Sequence, residues 1–331
     1  MMKTLPKVVV LSTGGTIVSS GTCSTQLTGY SITNFTVDQL LSCVPELNDI
    51  ARIETLSVSN IDSSSMTSLI WEQLVQAVTH TAADPDVAGI VVTHGTDTMD
   101  ETAFFLNLVL KTEKPVILTG AMRPATAISA DGPINLLNAV RVAAHPESRG
   151  KGVLIVLNDK ILSARDAIKT DPTNASTFAS PEFGTMGLIA GEDISFFHLP
   201  YRRHTTKSQF TCPPLPLPRV DIIFSHVDDD DVMVRAALLA HASGIIHVGT
   251  GNGSIHCHTE QALIEAARNG ILVVRASRTY RGNVVNGLQR WQEASIIPAG
   301  TLPAQKARIL LQLALAHGMD ADSTLQAFHE Y

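Results

Sequence analysis

Two short stretches carry the residue types needed to attack a carbonyl group. Thr13-Gly14-Gly15-Thr16 and Thr93-His94-Gly95-Thr96-Asp97-Thr98 each set a threonine directly behind a glycine, and each ends an apolar, β-branched run. A threonine hydroxyl becomes nucleophilic only beside a base or a lysine, so Thr16 as nucleophile requires partners from elsewhere in the chain. Candidates are Thr96, the adjoining carboxylate Asp97, Lys169 in the polar turn behind a later strand, and Tyr30 at the end of a loop rich in Ser, Thr and Gly. Ser63, in Asp62-Ser63-Ser64-Ser65 before a helix, offers a hydroxyl and backbone N–H groups as a seat for a carboxylate. Each has a plainer alternative: a phosphate-cradling turn for the Gly-Gly-Thr stretch, a core plug for Tyr30, helix caps for Asp97 and the serines, and a solvated surface group for Lys169. The phosphate alternative is weak, because the glycine spacing matches neither G-x-G-x-x-G nor G-x-x-x-x-G-K-[ST].

A parallel sheet would gather these groups. Val8–Leu11, Ile53–Val58, Val87–Thr93, Pro115–Leu118 and Val153–Leu157 read as strands, the last with a partner around Ile161 and Leu162. Helical spacing runs over Val37–Val44, Met66–Val78 with Ser65 as its cap, Asp100–Leu110 and Ile134–Ala144. This alternation predicts an α/β protein with a doubly wound, Rossmann-like or flavodoxin-like parallel sheet, whose carboxyl edge is where ligands bind. Gly14 and Gly15, able to adopt positive φ, would present Thr16 at that edge beside Thr96. The pattern lapses over Leu199–Pro218, a proline-rich stretch. The predicted organisation is an N-terminal catalytic α/β domain over 1–198, a linker over 199–218 and a smaller C-terminal α/β domain over 219–331. In the last, strands are expected at Val220–Phe224, Gly244–Val248 and Ile271–Val274, and helices at Val232–Ala242, Thr259–Ala267, Pro303–Ala316 and Ser323–Glu330.

Composition narrows the partners. The 331 residues carry a net charge of -7, are 5% aromatic and contain no basic block, which argues against nucleic acid or an anionic membrane and for a small polar ligand. Cys23, Cys43, Cys212 and Cys257 are scattered and read as isolated small hydrophobes. His256-Cys257-His258 has metal-ligating chemistry, but no further Cys or His stands at a recognisable spacing, so no metal site is assigned. Asp228–Asp231 read as acidic residues favoured by the dipole of the helix that follows. No apolar run reaches the roughly 18 residues of a membrane span. The first strand begins within a few residues of Met1, leaving no room for a leader, so a cytoplasmic location is expected; a periplasmic protein with its leader removed is the alternative.

Leu11–Ile17 and Gly89–Met99 resemble the two signature stretches of bacterial L-asparaginases. The likeness to this type II-like asparaginase/glutaminase family continues through Gly120–Pro124, Ser129–Pro133, Lys169-Thr170 and Gly300–Arg308, and so spans nearly the whole chain. The resemblance implies hydrolysis of L-asparagine to L-aspartate and ammonia, with L-glutamine or another small amide as the alternative substrate, without metal or organic cofactor, by a homotetramer built as a dimer of dimers. It implies Thr16 as nucleophile assisted by Tyr30, with Thr96, Asp97 and Lys169 in support. In that group a desolvated lysine drains a proton through Thr96, Asp97 holds the substrate α-ammonium, and backbone N–H near Thr96 stabilises the oxyanion. Ser63 matches the α-carboxylate binder; Gly15, Asp62, Ser64 and Ala121 complete the substrate contacts, and Ser254 reaches the site of a neighbouring subunit.

The chain departs from the periplasmic-type pattern in two respects. Ser64 stands where those enzymes commonly carry Gln or Glu, and the Asp-Ser-Ser-x-Met-Thr form is closer to the cytosolic type, although the C-terminal stretch looks periplasmic-type. The glutamate a neighbour supplies in the family is absent between Gly282 and Arg290, where Asn286 and Gln289 are the substitutes. Losing that counter-charge predicts weaker substrate binding. A binding protein that has lost catalysis is the reading from another class; retention of Thr16, Tyr30, Thr96, Asp97 and Lys169 argues against it.

Overall fold

The computed structural model describes residues 5–20, 25–26, 31–32 and 37–331, and the chain divides into two compact units, Met1–Cys212 and Pro213–Tyr331. Tyr30 and Cys23 lie outside the described residues. In the first unit the apolar runs form parallel strands: β1 (Lys7–Gly14), β2 (Arg52–Ile61), β3 (Val87–Thr93), β4 (Val116–Thr119) and β5 (Val153–Leu157). β6 (Lys160–Ser163) turns back antiparallel to β5, through Asn158 and Asp159 at φ 53° and 60°. That is the positive-φ pair a tight hairpin requires, and asparagine and aspartate tolerate it best among residues with a side chain. A further hairpin, β7 (Gly187–Ala190) and β8 (Asp193–Phe196), joins β6, giving the order β8-β7-β6-β5-β4-β3-β1-β2. Sequence patterning predicts no strands there, because each is four residues long and half-exposed.

The parallel part has the flavodoxin-like order 2-1-3-4-5, so its switch point lies between β1 and β3. Continuous apolar runs suit strands covered on both faces. On one face Val8, Val10, Val91, Ile117, Leu154 and Val156 share a core with Leu136, Ala139, Val140 and Ala143 of the later helix Gly132–Ala144. The alternate residues Val9, Leu11, Ile90 and Val92 are buried as well. In chain order the helices are α1 (Val37–Ser42), α2 (Leu47–Ile50), α3 (Ser68–Ala83), α4 (Met99–Val109) and α5 (Gly132–Ala144). α3 and α4 also meet each other, with Trp71 stacked on Phe105 at 4.6 Å.

Ser65 does not cap the helix that follows it. Ser63–Ser65 form a 3₁₀ turn, which Asp62 caps by accepting the Ser64 N–H at 3.0 Å. Closing that turn leaves Thr67 extended, and its hydroxyl accepts the Ile70 N–H at 3.4 Å. Chain from the proline-rich stretch belongs to the first unit as far as Cys212: Thr205–Lys207 form a 3₁₀ turn, Phe210 is fully buried, and Lys111 Nζ donates to the carbonyls of Thr205 and Ser208.

The second unit has its own all-parallel sheet, β9 (Val220–Phe224), β10 (Gly244–Gly249), β11 (Leu272–Ser277) and β12 (Ile297–Pro298). Its helices are α6 (Val232–Leu239), α7 (Cys257–Arg268), α8 (Gln289–Glu293), α9 (Ala304–Ala316) and α10 (Ala321–Glu330). α6 stops short of Ala242 because His241 takes φ 58°. Of the acidic run before α6, Asp231 pairs with Arg235, whereas Asp229 is buried 3.9 Å from His247 Nε2.

Candidate active site

Backbone contact makes the site. Gly14 and Gly15 sit at φ +103° and +91°, turning the chain out of β1 into the 3₁₀ turn Thr16–Val18. The turn presses on β3's continuation: a Cβ on Gly15 would stand 2.4 Å from Gly95 N and 2.5 Å from Gly95 Cα. Gly95 in turn lies against Ser63, where an added Cβ would meet Oγ at 2.5 Å. Three segments distant in sequence therefore converge at the β1/β3 switch point only because no side chain separates them. Thr13, just before the glycines, secures the edge by donating its hydroxyl to Thr93 O at 3.0 Å.

Onto this junction Lys169 extends from the two-residue strand Ile168–Lys169, which pairs with Phe178–Ala179. Its Nζ donates to Thr96 Oγ1 at 3.0 Å and to Asp97 Oδ1 at 2.6 Å. Thr96 Oγ1 accepts there, so its own hydrogen is left to donate. Asp97 is not the cap of α4, a position Thr98 holds; its side chain serves the lysine and stays 59% exposed, while that of Lys169 is 16% exposed. Ser63 Oγ accepts the Asp97 N–H at 3.2 Å, and Thr98 donates its hydroxyl to Ser63 O at 2.8 Å. Thr16, Ser63 and Thr96 are all buried. The structure thus brings Ser63, Thr96, Asp97 and Lys169 into one bonded group and sets Gly15 against it. Asp62 and Ser64 bond to each other at the turn, Ala121 is fully buried beside Gly132, and Ser254, exposed, belongs to the second unit.

Two sets of residues without assigned roles hold this framework. Asp131 accepts the N–H groups of Met122 and Arg123 at 3.0 and 2.9 Å, and Asn135 donates to Gly120 O and to Asp131. Together they shape the loop carrying Ala121. His94 is fully buried, and burial lowers its pKa to about 4, so the ring is neutral near pH 7. His94 Nδ1 lies 2.7 Å from Gly95 O, which can only accept, so Nδ1 carries the hydrogen. Thr102 must then donate to Nε2 at 2.9 Å while accepting the Trp71 indole N–H at 2.9 Å. This chain of donors fixes the Gly95–Thr96 peptide plane. In the sequence, His94 stands within the second Gly-Thr motif and Asp131 within the Ser129–Pro133 stretch, whereas nothing marked Trp71, Thr102 or Asn135.

An α/β protein with an amine, a carboxylate and hydroxyls gathered at the switch point of a flavodoxin-like sheet is the class that the fold and site define. Family models described as "Asparaginase, N-terminal" and "Glutaminase/Asparaginase C-terminal domain" match residues 7–202 and 219–328. "L-asparaginase 2" of Bacillus subtilis (strain 168) is 44% identical over 99% of this chain and 88% of its own length. "Glutaminase-asparaginase" of Pseudomonas aeruginosa is 42% identical over 99% and 91%. The crystal structure of a "Probable Cytoplasmic L-asparaginase from Campylobacter jejuni" superposes with a TM-score of 0.95 at 40% identity, covering 98% of this chain and 100% of that one. The chain belongs to the asparaginase family.

Proposed function

We propose that the chain is an L-asparaginase that hydrolyses L-asparagine to L-aspartate and ammonia, with Thr16 as nucleophile. The observation that carries the reading is the Lys169 amine shared by Thr96 and Asp97 at the edge where Gly15 lies on Gly95. Thr16 Oγ adds to the side-chain carbonyl carbon, the C–N bond breaks and ammonia leaves with the threonine proton, relayed by Tyr30; water then cleaves the ester. Thr96 is bonded to Lys169, so the proton shed by the attacking water in the second half-reaction passes through its hydroxyl. Ser63 donates its remaining hydrogen to the α-carboxylate, Asp97 and Gly15 line the α-ammonium side, and backbone N–H near Thr96 faces the oxyanion. Asp62, Ser64 and Ala121 complete the pocket. These steps use only the protein's own groups and water.

We further infer a homotetramer, a dimer of dimers, in which the first unit carries the catalysis and the second offers Ser254 to a neighbour's site. Likeness to the Campylobacter protein, whose name reads "Probable Cytoplasmic L-asparaginase", supports a cytoplasmic location. No helix among the described residues is long and apolar enough to cross a membrane. A glutaminase-asparaginase is the second reading, favoured by the Pseudomonas relative's name. The test is ammonia release from L-Asn and L-Gln by the parent and by Thr16→Ala. Loss of release in the variant with its fold intact is expected; equal rates would remove Thr16, and aspartate binding without ammonia from the parent would make it a binding protein.

A further inference from the structure

His256, Cys257 and His258 start α7, and one ligand atom from each lies within 4.8 Å of the other two, the one such group of His, Cys, Asp and Glu among the described residues. Successive helical residues point about 100° apart and would not converge. Here the helix begins between them. His256 is extended (φ −66°, ψ 144°) and caps the helix, its Nδ1 accepting the His258 N–H at 3.3 Å, which folds the ring back over the first turn. The two imidazoles meet edge to face with centroids 5.1 Å apart. Three adjacent residues therefore supply three donors on their own, and no spaced partner elsewhere in the chain is needed.

We propose that these three residues form a surface site for a borderline-soft divalent ion of the zinc class, with water as fourth ligand. Two imidazoles and a thiolate suit zinc and cobalt and not calcium or magnesium, which take oxygen donors. Metal bonds of about 2.0 Å to nitrogen and 2.3 Å to sulfur place tetrahedral donors roughly 3.3–3.6 Å apart. Cys257 and His258 are exposed, so rotation of their side chains closes the remaining distance without moving core residues. Glu260, one turn on, is not the fourth ligand: its carboxylate takes Arg290 at 2.8 and 3.1 Å and the Trp291 N–H. Binding forms two M–N bonds and one M–S bond; the metal displaces the His258 N–H from the single lone pair of His256, and the thiol proton leaves to solvent.

The test is cobalt(II) titration of the full, chelator-stripped chain. One ion per chain is expected, with visible bands of four-coordinate cobalt and a near-ultraviolet thiolate charge-transfer band, both displaced by zinc. Cys257→Ser should abolish the charge-transfer band, and His258→Ala should weaken binding about tenfold or more; Cys43→Ser, at another exposed thiol, should change neither. Unaltered thermal unfolding of the variants confirms their fold. A charge-transfer band that persists in Cys257→Ser, or none at saturating cobalt in the parent, would overturn the site.

Discussion

Gly15→Ala tests whether backbone contact between the β1 and β3 ends holds the centre together. The new Cβ would lie 2.4 Å from Gly95 N, where ordinary contact begins at 3.4 Å, so the turn bearing Thr16 must part from Gly95 by about 1 Å. Holding alanine at φ +91° adds strain of roughly 1–2 kcal/mol, which lowers stability. A shift of about 1 Å at a reacting group costs on the order of 100-fold in rate, equivalent to about 2.7 kcal/mol of barrier. Gly184→Ala is the matched control, at φ +78° with nothing within 4 Å of its would-be Cβ. It should carry the strain alone and keep its activity. The assay is ammonia release from L-asparagine, read as kcat/KM, beside a thermal unfolding curve for each protein. A folded Gly15→Ala protein within about twofold of the parent would show that the contact does not position Thr16.

Lys169→Met should lower kcat by about 10²–10⁴-fold, while the melting temperature stays near that of the parent, because the carboxylate partner is largely solvated. Asp131→Asn keeps one acceptor oxygen where two backbone N–H groups now find carboxylate oxygens. It should cost about 1–3 kcal/mol of stability and raise KM, measured by denaturant unfolding and saturation kinetics. Burial lowers both His94 and His247 from 6.5 to about 4. The unfolded chain then binds more protons in that window, so stability is full above pH 6.5 and falls as pH drops toward 4, by up to about 3 kcal/mol for each histidine. Unfolding followed across pH 4–8 in the parent and in His94→Gln should show a shallower acid slope in the variant; equal slopes would remove His94 from the account.

Much of the first unit's framework was legible without coordinates. Runs such as Val8–Leu11 and Val87–Val92 are apolar at every position because their strands are covered on both faces, and that contrast with solvent is written locally. The glycines at 14 and 15 announced a turn for the same local reason, and the Gly-Thr pairs named the hydroxyls. Short, half-exposed strands such as Gly187–Ala190 carry too little contrast to be read. Ser65 looked like a cap because capping residues are judged by type, whereas the 3₁₀ turn at Ser63 moved the helix start to Thr67.

The sequence by itself determined which segments are buried strands, where the chain must turn, and which side chains bear chemistry, since burial periodicity and backbone freedom belong to each segment alone. Only the tertiary structure decided that β1 lies next to β3, that Gly15 rests on Gly95 and Gly95 on Ser63, and that Lys169 reaches both Thr96 and Asp97. Strand order and close approach arise from pairing between distant segments, so no single stretch of residues contains them.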